Sequence, residues 1–373
     1  MKSYNHLWEE FVSYKNIALA IKNALKGKKN RKSVKRWLDD KNLIPKIKKY
    51  AENFHNAKHT PKEIYDGIQR KKRTIIVPTF PEQVIHHMAV NVLKPIFMRG
   101  MYEHSYGSIP GRGGHKGMKR IKMWVRHGGK DCKYCLKMDI RKYFESIPHD
   151  IYLAKLRKLI HDRRFMGILE ELTSVIPNGK GIPLGFYLSQ WTANWYLQDL
   201  DHYIKEELKA RYYIRYMDDM VVFGANKRKL HKMRIVVSDY LHDRLGLEMK
   251  RNWQVFLFDY TKHGRNRGRP LDFMGFKFYR NRIILRKSIM MKATRKAKRI
   301  HKVDKPSIYA IRQVMAYLGW VDATDTYRMY ENYIKPYVNI QQCKRRISAF
   351  DRRQKGAKND IELGKIGKHG EAA

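Results

Sequence analysis

Acidic residues are scarce in this 373-residue chain: 35 Asp and Glu stand against 79 Lys and Arg, a formal net charge of +44. Cysteine is scarcer still, and three cysteines in a long chain exclude a disulfide framework. Cys132 and Cys135 form a C-x-x-C with no second pair or H-x-x-x-H nearby to complete a zinc site, so a structural role is expected. No run of about 18 uncharged apolar residues occurs, which excludes an ordinary membrane-spanning helix. The N-terminal MKSYNHLWEEF lacks the apolar stretch of a secretory signal, and a cytoplasmic protein is expected.

What is present points elsewhere. With 43% apolar and 12% aromatic residues the chain can bury a sizeable core, and wholesale disorder is excluded. At roughly 100–200 residues per domain the length suggests two or three subdomains. A surplus of 44 positive charges repels itself and calls for a polyanion, since phosphates neutralised by Lys and Arg release their condensed counterions. The cations run the whole length among aromatics rather than in one juxtamembrane cluster. Nucleic acid, not membrane, is the expected partner.

Along the chain, Leu7, Phe11, Ile17, Ala20, Ile21 and Leu25 recur at helical spacing up to Gly27, and a second helical stretch runs through SVKRWLDDKNLIPKIKKYAENFHN. A short β-rich run, Thr74–Val77, ends at Pro78, and Pro81 opens a further helix. The glycine-rich YGSIPGRGGHKG, 106–117, leads into a basic helix. Strand-like runs at 134–140, 212–216, 220–223, 254–258, 273–279 and 282–285 alternate with helices at 150–173, 188–209 and 227–245, the last capped by Gly246. From 262 to 302 there are fifteen Lys or Arg and one acid, Asp272. Within that stretch Ile289, Ala293, Ala297 and Ile300 form one apolar stripe of a helix that presents cations elsewhere. The tail GAKNDIELGKIGKHGEAA is expected to be disordered.

The sharpest local feature is Tyr216-Met217-Asp218-Asp219 between two apolar runs, a hairpin turn holding adjacent carboxylates. Another acid, Asp139, ends a β-type run just before Tyr143 and Phe144. An acid at one strand end and two in a neighbouring turn could meet in space, and converging carboxylate oxygens suit Mg²⁺. An Asp-rich surface turn is the bland alternative.

Taken in order, KKRTIIVP, YGSIPGRGGHKG, LKMDIRKYFESIPH, GIPLGFYLSQ, YMDD, LGLEMKRNWQVF and LDFMGFKFY resemble the seven blocks of reverse transcriptases of the bacterial, group II intron-like branch, over about residues 65–285. The resemblance implies an α+β right-hand polymerase, with fingers and palm built from an antiparallel sheet plus helices, and a helical thumb. The corresponding segments are a basic helical extension at 1–60, fingers at 61–135 and a palm at 136–285 with a fingers-return near 150–180. A thumb at 286–350 and a disordered tail at 351–373 follow. It further implies an enzyme, an RNA-directed DNA polymerase using two Mg²⁺ ions, with Mn²⁺ as a substitute. Its partners would be an RNA template, a DNA or RNA primer and dNTPs.

By position, Asp139, Asp218 and Asp219 are the implied catalytic, metal-binding carboxylates, with Ile140 lending a backbone carbonyl. Lys71 and Arg73 would hold the triphosphate, Phe144 would exclude a ribose 2′-OH, and Gly185 would let backbone approach the nascent base pair. Lys250 is a candidate acid for the leaving pyrophosphate. Arg112 and His115 would touch template backbone, and Lys287, Lys292, Arg295, Lys296 and Arg299 would lie along the duplex. The fourth block departs from the family's usual pattern, carrying Leu184 where Gln is usual and Gln190 where Pro is usual. That variation resembles the error-prone reverse transcriptases of diversity-generating retroelements, which mutate at template adenines and imply a small basic oligomeric accessory protein as partner. About twenty residues follow the thumb, too few for an intron maturase's DNA-binding or endonuclease domain. A bacterial anti-phage defence reverse transcriptase and a non-enzymatic RNA-binding protein with a polymerase-like fold are the alternatives.

Overall fold

The computed structural model describes residues 3–28, 31–66 and 71–367, leaving out the side chains of 66, 71, 261, 262, 266 and 354–367. The chain divides into two compact units, Met1–Arg269 and Pro270–Ala373.

In the first unit, strands β1 (Lys62–Asp66) and β2 (Lys71–Ile75) pair antiparallel as a separate two-stranded sheet. The sequence predicts only the end of the second of these, within Thr74–Val77, because the remainder of both strands carries a charged pattern rather than an apolar run. The main sheet contains β3 (Ser105–Tyr106), β4 (Tyr134–Met138), β5 (Tyr212–Tyr216), β6 (Asp219–Gly224) and β7 (Gln254–Leu257), in the order β3-β5-β6-β4-β7. All neighbours are antiparallel except β3 and β5. A small hairpin, β8 (Tyr260–Lys262) with β9 (Arg265–Arg267), closes the unit.

The helix Phe80–Arg99 is buried around most of its circumference, so it belongs to the middle of the core. Its start is fixed by the Thr79 N–H donating to Glu82 Oε2 at 3.2 Å and by Pro81 in the first turn. Phe97 stacks on Trp195 at 4.7 Å, joining it to the helix Tyr187–Tyr196. The helix expected over 188–209 is broken: Tyr187–Tyr196 gives way to Gln198–His202 and then to a wider π turn, Tyr203–Glu207. Helix Lys227–Leu245 ends as the sequence indicates, with Gly246 at φ +59° and the Leu247 N–H reaching back to Leu241 O at 2.8 Å. Cys132 and Cys135 are buried, and the Cys132 thiol lies 3.4 Å from Trp124 O, in keeping with a structural role.

In the second unit, β10 (Leu271–Phe273), β11 (Phe276–Phe278) and β12 (Ile283–Leu285) form an antiparallel sheet. They group with the helices after them, not with the palm expected to extend to 285. Phe276 stacks on Trp320 at 5.0 Å, and the Ile283 N–H donates to Asp325 Oδ2 at 2.8 Å. The tail also departs from expectation: helix Ile340–Gly367 extends into the segment predicted as disordered as far as residue 367. No helix among the described residues is long and apolar enough to cross a membrane.

Candidate functional site

The sheet brings the acids together by register. Met138 of β4 pairs with Met220 of β6, so Asp139 comes level with the β5–β6 turn. Tyr216 pairs with Asp219, which leaves Met217 and Asp218 as the two turn residues. Met217 sits at φ +55°, a left-handed conformation that costs a non-glycine residue on the order of 1–2 kcal/mol and needs outside support.

That support comes from below. The Met217 N–H donates to Tyr106 O at 3.2 Å, and Arg215 Nη1 donates to Met217 O at 2.9 Å. Asn194 Nδ2 lies 3.2 Å from Met217 Sδ and donates to Gly107 O at 3.1 Å. Arg215 is fully buried and is gripped by equally buried Asp201 through Nε–Oδ1 at 2.8 Å and Nη2–Oδ2 at 2.5 Å. Asp201 also accepts from the Tyr213 hydroxyl at 2.6 Å. Sequence reasoning missed Arg215, Asp201 and Asn194. The available signal was an arginine inside the apolar run Tyr212–Tyr216, where a charge survives only if paired.

Above the turn, Lys250 Nζ donates to Asp139 Oδ2 at 2.6 Å, while the Lys250 N–H donates to Asp139 O at 2.8 Å. The hydrogen bond to Asp139 raises the Lys250 pKa. Ile140 bridges Met249, but the bonds there are made by the flanking residues, including Arg141 N–H to Glu248 O at 2.8 Å, so the bridge leaves the Ile140 carbonyl uncommitted. Asp218 lies close enough to Asp139 for their two charges to act on each other. Burial, then the Asp139 charge and that of Asp219, push the Asp218 carboxyl up to about 7. Among the described residues no three His, Cys, Asp or Glu form a ready metal-ligand group, so Asp219 is near but does not complete the set. Like charges repel, and Lys250, bonded to Asp139 and drawn also by the Asp218 and Asp219 charges, offsets part of that repulsion. The donors nevertheless fit a hard divalent cation: neighbouring carboxyls whose charge exceeds that of Lys250, beside the Ile140 carbonyl.

The other candidates are dispersed. The Lys71 side chain lies outside the described residues, and Arg73 is exposed on the β1–β2 hairpin. That hairpin is tied to the fourth block where the Ile76 N–H donates to Leu184 O at 2.8 Å. Gly185, at φ +111°, would place a Cβ 2.3 Å from Ile76 O, so its observed close neighbour is this protein's own backbone rather than a base pair. Leu184 is half-buried, while Gln190 is exposed and accepts through its carbonyl from Asn194 at 3.1 Å. Phe144 is half-buried, edge-on to Tyr143 at 5.7 Å. Arg112 is partly committed to the protein, donating to Tyr102 O at 2.8 Å, and His115 lies in the first turn of helix Gly114–His127. In the second unit, helix Lys287–His301 buries Met290, Ala293, Ala297 and Ile300, while Ile289 is only half-buried. Lys287, Arg295 and Arg299 are exposed and Lys292 half-buried, but Lys296 bonds Gln313 on the next helix.

Comparison with known proteins places this geometry. Residues 57–278 match the family model described as reverse transcriptase (RNA-dependent DNA polymerase). Protein YkfC of Escherichia coli is 24% identical over 36% of this chain and 38% of its own length. The group II intron-encoded protein LtrA of Lactococcus lactis is 25% identical over 45% of this chain and 29% of its own. An uncharacterized 91 kDa protein in the cob intron of Schizosaccharomyces pombe is 26% identical over 46% and 21%. The chain thus spans well under half the length of these relatives. Among solved structures, telomerase from Candida albicans in complex with a telomeric RNA fragment aligns at 12% identity and TM-score 0.43, over 78% of this chain and 60% of that one. With its α+β architecture and the matched span covering more than half of it, the chain belongs to the reverse transcriptase (RNA-dependent DNA polymerase) family, with relatives among group II intron-encoded proteins.

Proposed function

We propose that the protein is an RNA-directed DNA polymerase that extends a primer on an RNA template. The observation that carries this reading is the strand register that brings Asp139 level with the Asp218 turn at the sheet end, inside the matched span. Asp139, Asp218, Asp219 and the Ile140 carbonyl would hold Mg²⁺, two ions with Mn²⁺ as a substitute. When bound, the ions supply an acidified primer 3′-hydroxyl and charge neutralisation at the leaving pyrophosphate.

The chain's own residues do the rest. Lys71 and Arg73 would hold the triphosphate, as cations suited to its oxygens. Phe144 fills the space a ribose 2′-OH would need. Lys250, held protonated beside Asp139, would carry a proton for the leaving group. Arg112, His115 and the exposed cations of helix Lys287–His301 neutralise template and duplex phosphates.

Leu184 and Gln190 support a finer reading, an error-prone enzyme of a diversity-generating retroelement working with a small basic accessory protein. An apolar contact restrains base-pair geometry less than a directional hydrogen bond, so discrimination falls. Primer extension on poly(rA)/oligo(dT) with Mg²⁺ tests the main reading. Asp218→Asn is expected to reduce extension on the order of a thousandfold, several kcal/mol of barrier, and surviving activity refutes the carboxylate assignment. Products sequenced from a mixed RNA template are expected to carry errors concentrated opposite adenines. Uniform low error favours the anti-phage alternative, and absent extension with retained RNA binding favours the non-enzymatic one.

A further inference from the structure

Apart from the carboxylates, the first unit holds a cavity of about 190 Å³ lined by Lys28, Arg31, residues 75–78, Gln83, His86, His87, Gly185 and Tyr187. Its walls have distinct chemistries. Ile75, Ile76, Val77 and Pro78 make an apolar side, and Tyr187 stacks on His87 with ring centroids 4.2 Å apart. Lys28 and Arg31 bring positive charge, with Lys28 donating to Gln83 Oε1 at 2.5 Å. Val77 and Tyr187 are exposed, so solvent reaches this wall.

His86 is the unusual member. It is 1% exposed, packs against Phe186 at 4.2 Å, and has no hydrogen-bond partner at either ring nitrogen among the described residues. His87 Nδ1 is likewise buried without a partner. An unsatisfied buried polar atom costs roughly 1–3 kcal/mol, and a phenylalanine would fill the same space without that cost. Two adjacent residues bearing the cost point to a ligand that removes it.

The chemistry narrows the ligand. Burial pushes His86 down to about 3 and His87 down to about 4, with the cations of Lys28 and Lys26 adding to the effect at His87. Both rings are therefore neutral at physiological pH, each offering one donor and one acceptor. A phosphate has only acceptors to offer, whereas a nucleobase edge presents donors and acceptors side by side. Single-stranded RNA is read in this manner, its unstacked bases lying against aromatic rings while their edges are hydrogen-bonded. The volume is below the roughly 300–1,000 Å³ of drug-sized sites, which suits one planar base rather than a whole nucleoside triphosphate.

We infer that this cavity takes one unstacked base of single-stranded template RNA, its edge on His86 and His87, its face toward Tyr187 and its phosphate on Lys28 and Arg31. This rests on the proposed handling of an RNA template, but it concerns strand binding and not the reaction.

The test uses the full chain and a 12-nucleotide oligo(rU), with oligo(dT) alongside, in equilibrium binding. His86→Phe keeps an aromatic ring and removes the ring nitrogens. The variant is expected to fold, with its melting temperature unchanged or raised, and to bind oligo(rU) about five- to tenfold more weakly, the effect of one base contact. Lys28→Ala with Arg31→Ala is expected to weaken binding and flatten its salt dependence. Oligo(rU) carrying 4-thiouridine is expected to crosslink to Tyr187 or His87 on irradiation. Loss with oligo(rU), whether or not oligo(dT) shares it, supports the pocket. Unchanged oligo(rU) affinity in a folded His86→Phe protein overturns it, as does loss confined to oligo(dT). If His86→Phe does not fold, the rim variant and the crosslink decide: failure of both overturns the assignment. Binding is read without synthesis, so loss of extension in Asp218→Asn with intact oligo(rU) binding would bear on the carboxylates alone.

Discussion

Charge is handled in opposite ways at the β5–β6 turn and on the helix Lys287–His301. Beneath the turn, Arg215 and Asp201 are wholly buried, and each hydrogen bond has one geometry. On the helix, Lys287, Arg295 and Arg299 stand in solvent on the faces opposite its apolar stripe. A buried charge is costly unless every bond is made, so it fixes atoms to fractions of an ångström. An exposed cation costs little and fixes nothing, yet it can neutralise any phosphate that comes near. The first arrangement suits chemistry at one point, the second suits sequence-independent grip.

Three substitutions test that contrast. The largest effect is expected for Arg215→Ala, which strands Asp201 and frees the Met217 carbonyl; urea unfolding should show a loss of about 3–5 kcal/mol. Loss of less than 1 kcal/mol would mean that the turn is held by something else. Next comes Gly185→Ala, whose Cβ meets the Ile76 carbonyl at a positive φ; about 1–3 kcal/mol of destabilisation is expected in the same assay. The smallest effect on stability, within about 0.5 kcal/mol, belongs to the triple change Lys287→Ala, Arg295→Ala and Arg299→Ala. Its signature lies in nucleic-acid binding, where the slope of log affinity against log salt should shallow by roughly 0.7–0.9 for each lost phosphate contact. A stability loss as large as that of Arg215→Ala would erase the distinction between the two regions.

Much of the site was legible because its signals are local. Tyr216–Asp219 lies between two apolar runs, and a two-residue hairpin follows from that pattern. Gly246 announced the end of its helix, and the apolar spacing in 289–300 announced a one-sided helix. The misses share another cause. β1 is a polar strand defined only by its pairing with β2, and the helix break near Leu197 reflects packing in the core rather than any Pro or Gly. The strands 271–285 read as palm by order along the chain, but ring stacking and backbone bonds assign them to the second unit. Asn194 and Asp201 carry no signal of their own, being one polar residue and one acid on helices.

The amino-acid order alone determined which residue types stand at each turn, the sign of the surface charge and the motif series that marks the family, because these depend on neighbours within a few positions. Folding decided that Asp139 comes level with the Asp218 turn, that Lys250 pairs with the former, that a buried arginine props up the turn, and that two histidines line a cavity. Asp139, Asp218 and Lys250 lie far apart along the chain, and only strand register and core packing bring them together.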